Sequence, residues 1–382
     1  MRPIPKIFLS TACGLFLCAS GPAGAADVVF AQIASQSNPA SMDNAKGLTT
    51  GIRAYFDAIN AKGGINGNKL KLEVLDDGLQ AKNMVELTGK LIDNPAIVGL
   101  VGFLNTAGMG MLAKENTFGK GGMALIAPMQ GDKNVVGAEN VFPLRSGYAD
   151  EVDALLKEAK NWGKDTISIV NMNIAFGPIL AELAQKRATD MGLKVVSRSV
   201  VDFSPEAQAA SISAAVKSVV AARPKAILVL AAGVPAFEFI KTVRAVPEGM
   251  AQIYGLSVLR HSDLVAVTGV DKARGIVLSQ ATPYPFASTK PVITEYQSAM
   301  KAYDPKAALS FSGLEGFLGA KIAAEAVRRA GANPSRERVL GALKTLQEYN
   351  LGGISVNYSA QARKGWGGVD LTIINASGNL QK

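Results

Sequence analysis

Apolar strands alternate with amphipathic helices along the chain, and this alternation constrains the fold more than any other feature of the sequence. In "KLKLEV" the residues Leu70, Leu72 and Val74 alternate with polar residues, and the segments at 97–104 and in "MALIAP" are continuous apolar runs. Apolar strands separated by helices are typical of parallel sheets that are covered by helices on both faces. The sequence therefore predicts an α/β fold built on parallel sheets.

A second series of the same kind begins after Arg145. It contains the strand-like segments "TISIV", "LKVVSRSVV", "AILVLAA" and "QIYGL", and helical periodicity is found at 149–161, 178–191, 206–222 and 236–245. Two further helices are predicted at 289–303 and 310–330, and two strands near 353–357 and 369–374. Two such series predict two doubly wound parallel-sheet lobes with the division near 144–147.

The first 26 residues have the composition of a secretory signal peptide. Arg2 and Lys6 precede an apolar stretch from Ile7 to about Ala19, and small residues at 23–26 supply a cleavage site. This stretch is too short to span a bilayer. We therefore exclude residues 1–26 from the fold and expect a periplasmic protein that is secreted through a cleaved signal peptide.

Cysteine usage supports the same interpretation. The two cysteines, Cys13 and Cys18, both lie in the predicted signal peptide, so we expect no disulfide, thiol nucleophile or cysteine metal site in the exported chain. A lipid anchor on Cys18 is the alternative. Lipoprotein cleavage requires a small residue before the cysteine, whereas this chain has Leu17.

Charge and composition argue against nucleic-acid binding. The formal charge of +9 falls by two, to about +7, when Arg2 and Lys6 are removed, and only 6% of the residues are aromatic. The basic residues are scattered and not clustered into a groove. No stretch after residue 30 is long and apolar enough to cross a membrane, so we expect a chain that is not membrane-embedded.

The loop "FLNTAGMGMLA" (103–113) imitates a dinucleotide fingerprint through Gly108-x-Gly110-x-x-Ala113. Asn105, Thr106 and Ala107 separate the strand from the first glycine, and the strand is not the first of its sheet, which argues against a dinucleotide. Backbone N–H groups at such a strand-to-helix turn can instead bind a carboxylate. Asn105 or Thr106 then contacts the ligand or caps the helix, and both alternatives remain open.

Candidate catalytic residues are few. His261 is the only histidine and has polar neighbours, so we expect it on the surface and expect no histidine-dependent triad or multi-histidine metal site. Asp76 and Asp77 can bind a cation or cap a turn, and the turn is the favoured interpretation. We therefore expect a protein that is not an enzyme and that needs no cofactor.

The segment "FDAINAKGGINGNKLKLEVLDDG" (56–78) resembles the leucine/isoleucine/valine-type periplasmic binding proteins of ABC transporters. Further similar segments follow in the same order: "VGLVGF", "ALIAP", "VFPLR", "ISIVNMNIAFG", "DFSP", "LEGFLGAKIAAEAVRRAG" and "LGGISVNYS". The resemblance implies a type I periplasmic binding protein, with two doubly wound parallel-sheet lobes joined by three hinge crossings. It assigns 27–145 plus 282–352 to lobe one and 146–281 plus 353–382 to lobe two.

The resemblance also implies where the ligand binds. Two loops of lobe one correspond to those that hold a ligand carboxylate in the family, and an aromatic residue followed by glycine in lobe two corresponds to a hydrophobic lid. With the candidates at neighbouring strand ends, the predicted ligand-binding residues are Ser35, Asn105, Thr106, Ala107, Met129, Gln130, Gly131, Tyr148, Phe176 and Ser257.

The sequence departs from the family after "QIYG". Amino-acid binders of the family commonly have an acidic residue there for the ligand ammonium, whereas this chain has Ser257. A buried ammonium without a partner costs several kcal/mol, so an α-amino acid should bind poorly unless Asp150 or Glu238 replaces the missing acid. An amino acid, branched-chain ones included, and a non-amino carboxylate such as an aromatic or keto acid therefore remain alternatives.

The function that the resemblance implies is the solute-binding component of an ABC importer. Its partners would be a small-molecule carboxylate ligand and the membrane permease, and the protein is expected to be a monomer. The alternative is a ligand-sensing receptor module of the same fold that passes its signal to a membrane regulator.

Overall fold

A computed structural model describes residues 27–38, 41–173, 177–287, 289–360 and 362–382. The predicted signal peptide, 1–26, lies outside these ranges. Among the helices within them, none has both the length and the apolar character that a membrane span requires.

The first part of the chain builds a five-stranded parallel sheet. Its elements are β1 (Asp27–Ile33), α1 (Met42–Asn60), β2 (Lys69–Leu75), α2 (Ala81–Asp93), β3 (Ile97–Val101), α3 (Thr106–Lys114), α4 (Thr117–Lys120), β4 (Leu125–Ile126), α5 (Lys133–Val136) and β5 (Val141–Phe142). The strands lie in the order β2-β1-β3-β4-β5, and every neighbouring pair is parallel. The predicted parallel sheet, with helices between its strands, is therefore confirmed for this part of the chain.

The second part builds a larger sheet. Its elements are α6 (Tyr148–Asn161), β6 (Thr166–Met172), α7 (Gly177–Asp190), β7 (Lys194–Val201), α8 (Pro205–Ala222), β8 (Ala226–Leu230), α9 (Gly233–Val243), a 3₁₀ turn (Pro247–Gly249), β9 (Gln252–Gly255), α10 (His261–Thr268), α11 (Val270–Ala273) and β10 (Val277–Gln280). The five strands β10-β9-β8-β6-β7 are parallel neighbours in that order.

The last part of the chain contributes to both sheets. Its elements are α12 (Pro291–Tyr303), α13 (Phe311–Ala330), α14 (Arg336–Lys344), β11 (Tyr349–Asn350), β12 (Ser355–Ser359), β13 (Ala362–Lys364), β14 (Asp370–Ile374) and β15 (Leu380–Gln381). β14 and β15 extend the second sheet in antiparallel fashion next to β10. Leu314, Phe317 and Leu318 of α13 pack into the core of the first sheet.

Glycines allow α13 to pack directly against the backbone of α1. A Cβ atom on Gly51 would lie 1.9 Å from the carbonyl oxygen of Gly313, and one on Gly316 would lie 2.2 Å from the carbonyl oxygen of Leu48. Both distances are far below van der Waals contact, so only glycine fits at these two positions.

The chain passes between the sheets three times, at 143–147, at 281–287 with 289–290, and at 365–369, and the crossings are hydrogen-bonded to one another. The Trp366 amide donates to the Leu144 carbonyl (2.7 Å), and the Ser146 amide donates to the Ala281 carbonyl (3.4 Å). The Ser146 hydroxyl donates to the Gly368 carbonyl. The protein is therefore an α/β protein with two doubly wound parallel-sheet lobes and three hinge crossings, which confirms the predicted fold class.

The exact division into lobes stays a prediction, and one segment packs differently from our expectation. We assigned all of 353–382 to lobe two, but Ile354, Val356 and Tyr358 pack in the core of the first sheet. The Tyr358 hydroxyl also donates to the Pro143 carbonyl (2.8 Å). The alternating apolar side chains of β12 therefore cover the first sheet before the chain crosses to β14.

Candidate functional site

Three of the polar side chains at the ends of β1, β2 and β3 are tied to one another. The buried carboxylate of Asp77 accepts from the Ser35 hydroxyl (2.6 Å) and from the Asn105 side-chain amide (2.7 Å). The Asn105 side-chain oxygen caps α3 by accepting from the Gly108 amide (3.0 Å). Of the two alternatives for Asn105, the structure shows capping.

The acidic pair Asp76 and Asp77 also caps the turn, as expected. Asp76 accepts from the Gly78 amide (2.8 Å), and Asp77 accepts from the Leu79 amide (3.0 Å). Asn105 has a φ angle of 139°, a strained conformation for a residue with a side chain. Its bond to Asp77 helps to hold this geometry.

The other predicted ligand-binding residues of lobe one do not lie together in one site. Thr106 and Ala107 are the first two residues of α3 and line a pocket with Lys114 and Asp132. Gln130 folds back so that its side-chain oxygen accepts from the amides of Gly131 (2.8 Å) and Asp132 (3.0 Å).

Gly131 and Tyr148 contact each other across the first crossing. The Tyr148 amide donates to the Gly131 carbonyl (3.1 Å), and burial raises the pKa of the Tyr148 hydroxyl. Phe176 lies outside the described residues.

A cavity of about 460 Å³ lies between the two sheets, beside the crossings; we call it the cleft cavity. The crossings and lobe one supply one set of lining side chains, and the loop after β9 supplies another. The polar and charged residues among them include Asn44, Arg145, Ser257, Arg260, His261, Gln280 and Glu315. Of the predicted ligand-binding residues, Met129 and Ser257 line this cavity.

Arg145 is the buried cation of the cleft cavity, with 3% of its side chain exposed. One terminal nitrogen, Nη2, donates to the Ser257 hydroxyl (2.8 Å). Nε lies 3.6 Å from Oε1 of Glu315, which makes an ion pair but not a hydrogen bond. Nε, Nη1 and Glu315 Oε1 have no hydrogen-bond partner among the described residues.

Glu151 is the acid that lies at Ser257. Its carboxylate accepts from the Ser257 amide (2.8 Å), from the Ser257 hydroxyl (3.0 Å) and from the Ser279 hydroxyl (2.6 Å). The expectation that this region lacks an acid is therefore wrong. The sequence does not reveal Glu151 because the residue follows the first crossing, more than a hundred positions before Ser257.

Neither acid that we named as a replacement lines the cleft cavity. Asp150 accepts from the Gly147 amide at the N-terminus of α6 (3.1 Å), and Glu238 pairs with Lys241 on α9 (3.3 Å). Glu315 was also missed, although a lone acid within the apolar helix "SGLEGFLGA" is itself a signal of a buried functional charge.

The charges of the cavity are coupled. Burial raises the pKa of Glu315 to about 7, because the lowering effect of Arg145 is smaller and Glu151 adds a further increase. Burial lowers the pKa of Arg145, but Glu315 and Glu151 raise it to a net value above its usual range. Arg145 is thus charged at neutral pH, whereas Glu315 titrates there.

Three aromatic side chains form one wall of the cleft cavity, which we call the aromatic wall: Tyr284, Phe286 and Phe311. Their ring centroids are 5.2 to 6.2 Å apart in edge-to-face arrangements. The Tyr284 hydroxyl donates to the Leu380 carbonyl (3.0 Å), and Phe286 is 37% exposed. The wall therefore offers an apolar surface opposite the buried charges.

Arg260 and His261 complete the cavity at its second-lobe edge. The Arg260 guanidinium contacts Asp43 of α1 and Asp263 of α10. His261 is half-buried and lines the cavity, so our expectation of a surface position is wrong. Burial and the neighbouring Arg260 lower the pKa of His261.

Two α/β lobes with three crossings and a cavity between them define a class of two-lobed proteins that bind small molecules in the intervening cleft. The family model described as "Periplasmic binding protein" matches residues 28–379. The chain therefore belongs to the periplasmic binding protein family.

Solved structures share this fold over nearly the whole chain. A substrate-binding periplasmic protein from Ralstonia solanacearum is 29% identical, with a TM-score of 0.84 and coverage of 93% of this chain and 99% of the other. A possible leucine/isoleucine/valine-binding protein from Rhodopirellula baltica is 22% identical (TM-score 0.84; 95% and 97% covered).

A fatty acid ABC transporter substrate-binding protein from Thermomonospora curvata is 17% identical (TM-score 0.78; 92% and 89% covered). No curated protein matches the chain significantly. The matches confirm membership of the periplasmic binding protein family and show that the chain shares the fold of these solved structures.

Proposed function

We propose that this chain is the periplasmic solute-binding component of an ABC importer and that it captures a small carboxylate-bearing ligand in the cleft cavity. Membership of the periplasmic binding protein family supports the class of function. Secretion through cleavage of residues 1–26, delivery to a membrane permease, binding without catalysis and a monomeric state all belong to this proposal.

The observation that supports a carboxylate-bearing ligand is the position of the Arg145 guanidinium. It is buried in the cavity with Nε and Nη1 free of hydrogen-bond acceptors among the described residues. Leaving donors of a buried cation unsatisfied costs free energy, and a ligand carboxylate would accept a charge-assisted hydrogen bond from one of them. Met129 and Ser257 are the predicted residues that we retain beside it, since they line the same cavity.

The ligand is an amino acid or a non-amino carboxylate, and related folds are compatible with both. The Rhodopirellula protein is a possible leucine/isoleucine/valine-binding protein, and the Thermomonospora protein is a fatty acid ABC transporter substrate-binding protein. Hinge closure around the ligand would bury it and change the surface presented to the permease.

A thermal-shift panel tests the proposal, because a ligand that binds only the folded state raises the melting temperature. Leucine, phenylalanine and acidic amino acids would be compared with 4-methyl-2-oxopentanoate, phenylpyruvate and simple aromatic acids. We expect at least one carboxylate to stabilise the protein, with the shift lost in Arg145→Gln and reduced in Arg145→Lys. Arg53→Gln, on the exposed side of α1, is the control; a panel without any response contradicts the proposal.

A further inference from the structure

We propose that the cleft cavity takes the anion of an aromatic carboxylic acid that lacks an α-ammonium group, with its carboxylate between Arg145 and a protonated Glu315 and its ring on the aromatic wall. This inference rests on the proposed function, because it names the ligand class of the same cavity.

The first argument is that the acids around the cavity are already engaged. Glu151 accepts three hydrogen bonds from Ser257 and Ser279. Asp43 and Asp263 are both paired with Arg260. Among the described lining residues, Glu315 alone keeps a buried carboxyl oxygen without a hydrogen bond.

The second argument concerns the place of that oxygen. Glu315 Oε1 lies 3.6 Å from Arg145 Nε, so an ammonium bound to it would lie next to the guanidinium. Two like charges at such a distance inside a protein repel each other strongly. A carboxylate at the same place would instead be attracted by Arg145 and would accept from its Nε, which has no hydrogen-bond partner among the described residues.

The third argument concerns the proton on Glu315. Burial raises the pKa of this carboxyl, Arg145 lowers it and Glu151 raises it, and the net value is about 7. A ligand carboxylate would add a second negative neighbour and raise the pKa further. Glu315 would then take one proton from solvent and donate it in a hydrogen bond to the ligand carboxylate.

Arg260 and His261 also line the cavity, but neither changes the expectation that Glu315 takes up a proton when the ligand binds. Arg260 is held by Asp43 and Asp263. His261 has a lowered pKa and is neutral at and above neutral pH. The titration that couples to ligand binding above neutral pH is therefore that of Glu315.

The fourth argument is the aromatic wall. Tyr284, Phe286 and Phe311 line the same cavity as Arg145 and present ring edges and faces to it. Partly exposed aromatic side chains in a cavity bind planar apolar groups by edge-to-face or offset contacts. A volume of about 460 Å³ accommodates a single-ring acid.

Isothermal titration calorimetry with phenylacetate, phenylpyruvate and phenylalanine tests the inference, because these probes share a ring and differ in the α-substituent. We expect phenylacetate or phenylpyruvate to bind at least about tenfold more tightly than phenylalanine. Binding above pH 7 should take up about one proton, seen as an enthalpy that depends on the buffer, and the affinity should fall by up to about tenfold per pH unit at high pH.

Substitutions test which side chains bind the ligand and which of them takes up the proton. Glu315→Gln keeps an N–H donor but cannot titrate, so it should bind the aromatic acid with the pH dependence and the proton uptake removed. Glu337→Gln, on the exposed side of α14, should behave like the unmodified chain. Phe311→Ala should weaken phenylacetate binding while acetate binding stays unchanged.

Two results would overturn the inference and leave the proposed function standing. One is tight binding of phenylalanine that is lost in Glu315→Gln, which would place an ammonium on Glu315. The other is binding of an aromatic acid that neither Glu315→Gln nor Arg145→Lys affects. If no carboxylate of the panel binds at all, the proposed function itself fails.

Discussion

Arg260 at the start of α10 contacts Asp43 in the first turn of α1, so one guanidinium joins the two lobes across the cleft cavity. Asp263 pairs with the same guanidinium from its own helix and orients it towards Asp43. The contact links two segments more than 200 positions apart. Because the contact bridges the lobes, it stabilises the arrangement that the structure shows.

We expect Asp43→Asn to shift the lobes towards an open arrangement. The side chains are partly exposed, so the effect should be modest, about twofold to fivefold in ligand affinity. Small-angle X-ray scattering would show a larger radius of gyration without ligand. Asp57→Asn, on an exposed position of the same helix, is the control, and an equal effect of both substitutions would contradict the role of the contact.

Glu315 should make stability depend on pH. Its pKa is raised from 4.5 to about 7 in the folded protein, so the folded state holds a proton that the unfolded state has lost. The resulting penalty is absent below about pH 4.5 and complete above about pH 7, and it amounts to about 3 kcal/mol at 1.36 kcal/mol per pKa unit.

Urea unfolding between about pH 5 and pH 8 would measure this penalty. Stability of the unmodified chain should decline relative to Glu315→Gln as the pH rises through this window. If the two proteins keep a constant difference across the window, Glu315 does not titrate as described.

Substitution of Gly316 by alanine should destabilise the contact between α1 and α13. The added Cβ would meet the Leu48 carbonyl oxygen at 2.2 Å, and overpacking of this kind costs about 1–3 kcal/mol. Gly89→Ala is a matched control in α2, where a Cβ meets nothing within 4 Å. That substitution should stabilise the protein by up to about 1 kcal/mol, so thermal melts should shift in opposite directions.

Asn105→Ala should lower the stability of the protein without lowering its affinity for the ligand. The substitution removes the cap of α3 and one partner of Asp77, and loss of a cap alone costs about 1 kcal/mol. Thr106→Ala, at the next position, should change stability by less than about 0.5 kcal/mol. Chemical unfolding and calorimetry on both variants test this, and a loss of affinity in either would restore the loop to the ligand site.

The fold was predictable because its determinants are local and periodic. Continuous apolar runs such as that at 97–101 become buried parallel strands wherever helices follow them, and no distant residue changes that outcome. Strand ends were harder to predict, because β3 ends at Val101, short of the apolar residues Phe103 and Leu104 that continue the pattern.

The candidate site was less predictable because its residues are far apart in the sequence and become neighbours only when the crossings bring the two lobes together. Ser257, Arg145 and Glu315 are separated by more than 50 positions from one another, and no spacing rule joins them. The sequence identified Ser257 as the point of interest, but it could not show that Glu151 and Arg145 converge there. Burial, and not residue type, distinguishes Glu315 from the surface glutamates.

The three hydrogen-bonded crossings have a consequence for how the protein withstands proteolysis. A protease that cuts the chain within any one of them leaves the two halves joined by the other two, through Leu144 and Trp366 or Ser146 and Ala281. Neither half can be lost by a single cleavage. The same connectivity means that each half is assembled from separate stretches of the chain, so neither half corresponds to one continuous fragment that could be produced alone.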